Sequence, residues 1–198
     1  MVVDRAAARD AIQMHLDRVR HALEALPVER IVDVVDLIEA KCAAGRTIYI
    51  AGNGGSASTA SHMACDLGNN VLRARERKTT HRFRVIALVD AAATVTAIAN
   101  DDGYEWVFAR QLRVLAEPGD LLILMSASGN SPNVIEAAKA ARDIGVSTVG
   151  FVGFGGGLLK ELVDLAIVVT GYEYGPVEDV HLVLNHAVAN TLQAILSR

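Results

Sequence analysis

Two segments rich in serine and glycine stand out, Gly52-Asn53-Gly54-Gly55-Ser56 and Ser126-Ala127-Ser128-Gly129-Asn130-Ser131. Each directly follows an apolar run and opens a helical pattern, and Pro132 suits the first turn of the second helix. At such a junction the free N–H groups of the first helical turn and the positive end of the helix dipole favour an anion. Glycine lets the backbone come close, and serine hydroxyls donate hydrogen bonds without adding charge. Gly, Ser and Asn are also ordinary turn residues, so one such loop says little by itself. Two of them on one sheet edge point to a held phosphate.

A second group has acid–base or metal-binding character. His62 and Asp66 stand at i and i+4 of a helical stretch and share a face, with Cys65 bordering it. Such a pair can bind a metal or pass a proton, and it also occurs as a plain surface pair. The last helical stretch adds Glu178, Asp179, His181 and His186 among apolar neighbours, where unpaired polar groups are expensive to bury. Glu178 and His186 lie about 12 Å apart along a regular helix and about 80° apart around it. They meet one ion only if Glu178 precedes the first regular turn, or if they come from different subunits. The plainer alternative is that Glu178 and Asp179 cap the helix N-terminus.

The elements that position these residues follow from hydrophobic periodicity. Residues 6–26 and 28–45 read as a helical hairpin broken at Pro27, with Ile12, Leu16, Val19 and Leu23 on one helix and Val34, Val35, Ile38 and Cys42 on the other. Five runs without polar alternation follow, Thr47–Ala51, Val85–Val89, Leu121–Met125, Thr148–Val152 and Leu165–Thr170. They predict strands covered on both faces, with helices over 57–72, 91–99, 104–116, 132–144 and 157–163. The fold expected is α/β: a flavodoxin-like three-layer sandwich with a five-stranded parallel sheet in order 2-1-3-4-5. Strands one and three then flank the topological switch point, where such folds bind ligands. The helix over 177–197 is apolar nearly all round, which predicts burial in a subunit interface. One domain over 1–198 is expected, with 1–45 used in packing or oligomerisation and 46–198 forming the α/β core and terminal helix.

Composition bounds the partners. Over half of the chain is hydrophobic (52%) and only 5% aromatic, so small aliphatic residues must fill the core. A net charge of −4 gives no general attraction for nucleic acid or an anionic membrane. The charged start MVVDRAAARD does not read as a secretory signal, and no apolar run approaches membrane-spanning length. Cys42 and Cys65 form no recognisable disulfide framework. The expectation is a soluble, cytoplasmic protein. The basic stretch Arg73, Arg75, Arg77, Lys78, Arg82, Arg84 reads as a solvated loop. Gly52–Ala57 also fits a dinucleotide-binding G-x-G-x-x-A, with Asp90 as the ribose acid. That reading leaves the second loop unused and sets Asp90 well beyond the usual spacing, so no nucleotide cofactor is expected.

Taken together, the GNGGS loop, His62 with an acid four residues on, Ala99-Asn100-Asp101, the SxSGNS loop and the Glu178…His186 pair resemble the phosphoheptose isomerase branch of the SIS (sugar isomerase) domain proteins. The resemblance runs over nearly the whole chain. It implies isomerisation of sedoheptulose 7-phosphate to a manno-configured heptose 7-phosphate, in a homotetramer with the active site between subunits. It maps metal ligands, often of zinc, onto His62, Asp66, Glu178 and His186. Substrate contacts map to Asn53, Gly54, Gly55, Ser56, Asn100, Asp101, Ser126, Ser128, Ser131 and Glu178, and proton transfer to Asp66 and His186. Three positions depart from the family: Asp66 replaces the usual glutamate, Glu178 the usual glutamine, and Ala127 the usual threonine. A non-catalytic phosphosugar sensor or partner-binding scaffold is the other role that SIS domains imply.

Overall fold

The computed structural model describes residues 3–71 and 83–196. The chain opens with α1 (Arg5–Glu24), capped by the Asp4 carboxylate, and α2 (Val28–Ala43), entered at Pro27. The α/β part then runs β1 (Thr47–Gly52), α3 (Gly54–Cys65), β2 (Arg84–Ala87), α4 (Ala92–Asp101), α5 (Val107–Leu115), β3 (Leu121–Ser126), α6 (Pro132–Ile144), β4 (Ser147–Val152), α7 (Leu159–Leu162), β5 (Leu165–Val168) and α8 (Tyr174–Leu196). Short 3-10 turns cover Tyr104–Trp106 and Phe154–Gly156.

All strand pairs are parallel and the order is β2-β1-β3-β4-β5, as the apolar runs predict. The register sets Gly52 beside Met125 and Ser126 beside Val152. Both serine/glycine loops therefore leave the sheet at neighbouring carboxyl ends. Strand side chains alternate between two apolar layers. Ile48, Ile50, Ile123, Met125 and Phe151 pack with α2, α3 and α8, while Tyr49, Ala51, Leu122 and Leu124 pack with α5 and α6. Double coverage is the reason the strands show no polar alternation. At the β2 edge coverage is thinner: Ile86 is exposed and α4 buries no residue completely.

Two expectations change. The predicted helix over 57–72 is α-helical only to Cys65 and continues as a π-helical turn over Asp66–Val71. Gly68, Asn69 and Asn70 are poor helix formers, which lets the hydrogen-bond register loosen there. The apolar girth of α8 is also met largely inside one chain, because α1, α2 and α3 all pack on it. Only a few apolar side chains such as Val183 and Ile195 stay exposed, so the shape of this helix does not by itself require a second subunit. Arg73, Arg75, Arg77, Lys78 and Arg82 lie outside the described residues, and Arg84 donates to the Gly45 carbonyl. Cys42 is buried and Cys65 exposed, and neither is in a disulfide. No helix among the described residues is long and apolar enough to cross a membrane.

The α8 layer contains a buried histidine that packing alone explains poorly. His181 is fully buried, neither ring nitrogen has a hydrogen-bond partner, and the ring lies 6.4 Å from that of Phe151. Desolvation pushes its pKa down to about 4, and the nearby Val152 backbone opposes this only in part. The folded state thus keeps His181 neutral where the unfolded chain takes up a proton, and stability falls as pH drops from about 6.5 toward 4. The loss expected is on the order of 3 kcal/mol. Urea unfolding of the wild type and His181→Leu across this window should show the wild-type midpoint falling more steeply; parallel pH profiles would contradict the assignment.

Candidate active site

The second loop is held backbone to backbone. Gly129 has φ +65° and a Cβ on it would lie 2.0 Å from the Gly156 carbonyl oxygen; one on Gly157 would lie 2.4 Å from that of Ser128. Only glycine permits this approach. Gly153 N–H donates to the Ala127 carbonyl (3.0 Å) and Leu159 N–H to that of Gly129 (2.9 Å), which fastens the 153–157 segment to the loop. Within the loop, Ser126 Oγ accepts from Gly129 N–H (3.1 Å) and Ser128 Oγ from Asn130 N–H (3.3 Å). Ser131 begins α6 without a side-chain capping bond, Pro132 carries no N–H, and Val134 N–H donates to Asn133 Oδ1 at 3.0 Å.

The first loop is tied to the second across the switch point. Asn53 and the buried Asn133 of α6 exchange two amide hydrogen bonds of 2.8 Å, and Tyr104 donates to Asn53 Oδ1 at 3.0 Å. Between the loops lies a cavity of about 80 Å³ lined by Asn53, Ser56, Ser126, Ser128, Ser131, Tyr174 and Glu178, among others. This is far below the several hundred Å³ of a nucleotide-sized site and suits a single small anionic group. A neighbouring cavity of about 380 Å³ shares Asn53 and Ser131 and adds Tyr104 and Glu105. A larger one, about 680 Å³, lies between α1 and residues 170–176 and includes neither loop.

Glu178 stands over the start of α3, where a Cβ on Gly55 would lie 2.1 Å from its Oε2. Burial, and secondarily the neighbouring Asp179, push its pKa up. The capping reading fails for both acids. The α8 helix begins at Tyr174, which puts them in its second turn, and Asp179 pairs instead with His15 of α1 at 2.8 Å. Asp90, just past β2, accepts a hydrogen bond from Ser61 of α3.

His62, Asp66 and His186 converge between α3 and α8. Asp66 Oδ2 lies 3.4 Å from His62 Nε2 and 3.7 Å from His186 Nε2, and the two nitrogens are 3.3 Å apart. The imidazoles are 44% and 46% exposed at the side chain, and the carboxylate behind them 11%. Among the described residues this is the group with metal-ligand spacing. Metal–ligand distances of ~2.0–2.1 Å give a tetrahedron with edges of about 3.3–3.4 Å, close to what the three donors show. Two imidazoles and a carboxylate therefore suit a divalent ion with an open position.

The structure thus gathers Asn53, Ser56, Ser126, Ser128, Ser131 and Glu178 at one cleft, with Gly54 and Gly55 opening α3 beside it. It brings three of the four sequence-predicted ligands together and leaves Glu178 in the cleft. Asn100 and Asp101 lie exposed at the end of α4, hydrogen-bonded to each other (2.8 Å), just before the Tyr104 that reaches Asn53. Sequence reasoning passed over Tyr104, Asn133, Asn185 and the Gly153–Gly157 segment. Of these only the run Gly155-Gly156-Gly157 carried a visible signal.

A parallel five-stranded sheet with two serine/glycine loops side by side at its switch point defines a doubly wound α/β domain, and the SIS domain profile matches residues 12–153. The chain is 37% identical to the phosphoheptose isomerase of Roseiflexus sp. over 94% of its length and 92% of that protein. It is 42% identical to that of Aliarcobacter butzleri over 77% of its length and 78% of that protein. The solved phosphoheptose isomerase of Neisseria gonorrhoeae superposes with a TM-score of 0.83 at 29% identity, covering 96% of this chain and 98% of that one. The chain belongs to the phosphoheptose isomerase branch of the SIS domain family.

The backbone contact at Gly129 gives a direct check on the cleft. Gly129→Ala is expected to weaken inorganic phosphate binding by at least about tenfold, because the loop must move off the 153–157 segment to admit the methyl. Calorimetric titration with phosphate measures this, and unchanged affinity would show that the contact does not shape the anion site.

Proposed function

We propose that this chain isomerises sedoheptulose 7-phosphate to D-glycero-D-manno-heptose 7-phosphate through an enediol, as a step toward activated heptose. The observation that carries the reading is the acid–base trio set two helical turns from the anion cleft. Ser56 at the cleft and His62 in the trio stand about 9 Å apart along the α3 axis. An extended seven-carbon phosphate, at about 1.2 Å per bond, reaches about 10 Å from phosphorus to carbon 1, and a three-carbon one only about 5 Å. The spacing favours a long open-chain sugar with its phosphate in the loops and its carbonyl end at the trio.

In this reading Ser126, Ser128, Ser131 and the first turn of α6 bind the phosphate. Asn53, Gly54, Gly55 and Glu178, with Asn100 and Asp101, contact the sugar hydroxyls. Asp66 removes the proton from carbon 1 and His186 serves the two oxygens as the double bond moves; return of a proton to carbon 2 gives the aldose. His62, Asp66 and His186 would hold one divalent ion, with zinc suited to the donors, which would polarise the substrate oxygens. The protein works in the cytoplasm as a homotetramer. Support for assembly comes from Ile12, Met14 and Leu16 of α1, which stay exposed on a single chain. Residues 1–45 serve that assembly, and 46–198 carry the site.

NMR of sedoheptulose 7-phosphate with purified protein, with and without chelator, tests the reading. His186→Ala should lose about 10²- to 10⁴-fold in kcat while KM changes little. Unchanged turnover in the variant, or none in the wild type, would overturn it.

A further inference from the structure

Asn185 is fully buried on α8, immediately before His186 and among Leu184, Val188 and Leu192. Its Nδ2 donates to Asp66 Oδ2 at 3.0 Å, closer than either imidazole comes to that oxygen. Its own Oδ1 has no hydrogen-bond partner. Turning the amide over would set a carbonyl against the carboxylate, so the donor assignment follows from charge. A buried amide with an orphaned carbonyl is destabilising, and leucine would suit this apolar stretch of helix better. Stability therefore does not account for the asparagine, whereas its contact with Asp66 does.

The need for that contact is visible in the backbone. Asp66 is the residue at which α3 gives way to the π-helical turn, so its carboxylate is carried on backbone outside the regular α register. Its side chain is also one methylene shorter than a glutamate's. We propose that Asn185 is a positioning residue: its amide occupies one lone pair of Asp66 Oδ2 and fixes that oxygen toward His62 and His186. A neutral donor does this without supplying a charge that would compete with a cation or an imidazolium at the same oxygen. The inference rests on the reading of the trio as the ion and proton-transfer site.

The test compares wild type, Asn185→Leu and Asn185→Ala as full-length chains stripped with chelator and then titrated with Zn²⁺ against a chromophoric competitor. Loss of the amide is expected to weaken zinc affinity about 10- to 100-fold and lower kcat on sedoheptulose 7-phosphate by a similar factor. KM should stay within about twofold, and the thermal midpoint of Asn185→Leu should not fall. Zinc affinity and kcat both within twofold of wild type would overturn the proposal. So would losses accompanied by a raised KM and a lowered midpoint in both variants, which would mark a structural role. If the leucine variant does not fold, the alanine variant decides. Should wild type lack turnover, the functional reading fails by itself, and the zinc titration still decides the role of Asn185.

Discussion

The carboxylate of Asp66 is taken almost out of water between two helices that lie far apart in sequence, and nitrogen atoms of His62, His186 and Asn185 surround one of its oxygens. A charged group in that position is tolerated only while those neighbours stay in place. Their placement depends on α3 and α8 sharing one face of the sheet, and on α8 being pressed there by α1 and α2. The N-terminal hairpin thereby braces the helix that carries His186, and His15 of α1 pairs with Asp179 beside the cleft-lining Glu178. The π-helical turn at Asp66 belongs to the same arrangement, since it begins at the residue whose side chain must be aimed.

At the other end of the site the governing contact is between backbones. The Ser126–Ser131 loop is shaped by the 153–157 segment through glycines that leave no room for a side chain. The cleft between the loops is lined by hydroxyls and amides and by no lysine or arginine among the described residues. Such a lining offers an anion oriented dipoles in place of formal positive charge. The parallel sheet joins the two ends, for it delivers β1 and β3 side by side with their loops on one edge.

Much of this was legible in the sequence for physical reasons. Unbroken Val/Ile/Leu runs between helical periods specify a doubly covered parallel sheet, and with it the place of both loops. His62 and Asp66 were paired by helical spacing alone. His186 was joined to them only by family resemblance, since no local rule links residues more than a hundred positions apart. The capping role offered for Glu178 and Asp179 was lost because α8 starts at Tyr174, one turn earlier than its apolar pattern does. Asn185 and Asn133 looked like ordinary polar residues, and their meaning lies in partners that only the folded chain supplies. The terminal helix misled in another way, because apolar girth records burial without recording by what.

In the proposed reaction one ligand spans the anion cleft and the trio, and protons move at its far end. Incubating sedoheptulose 7-phosphate with the protein in D₂O and reading deuterium by NMR tests this most directly. Aldose phosphate carrying solvent deuterium at carbon 2 is expected, with exchange into carbon 1 of the remaining ketose. Phosphosugar binding without any solvent deuterium at either carbon would contradict it.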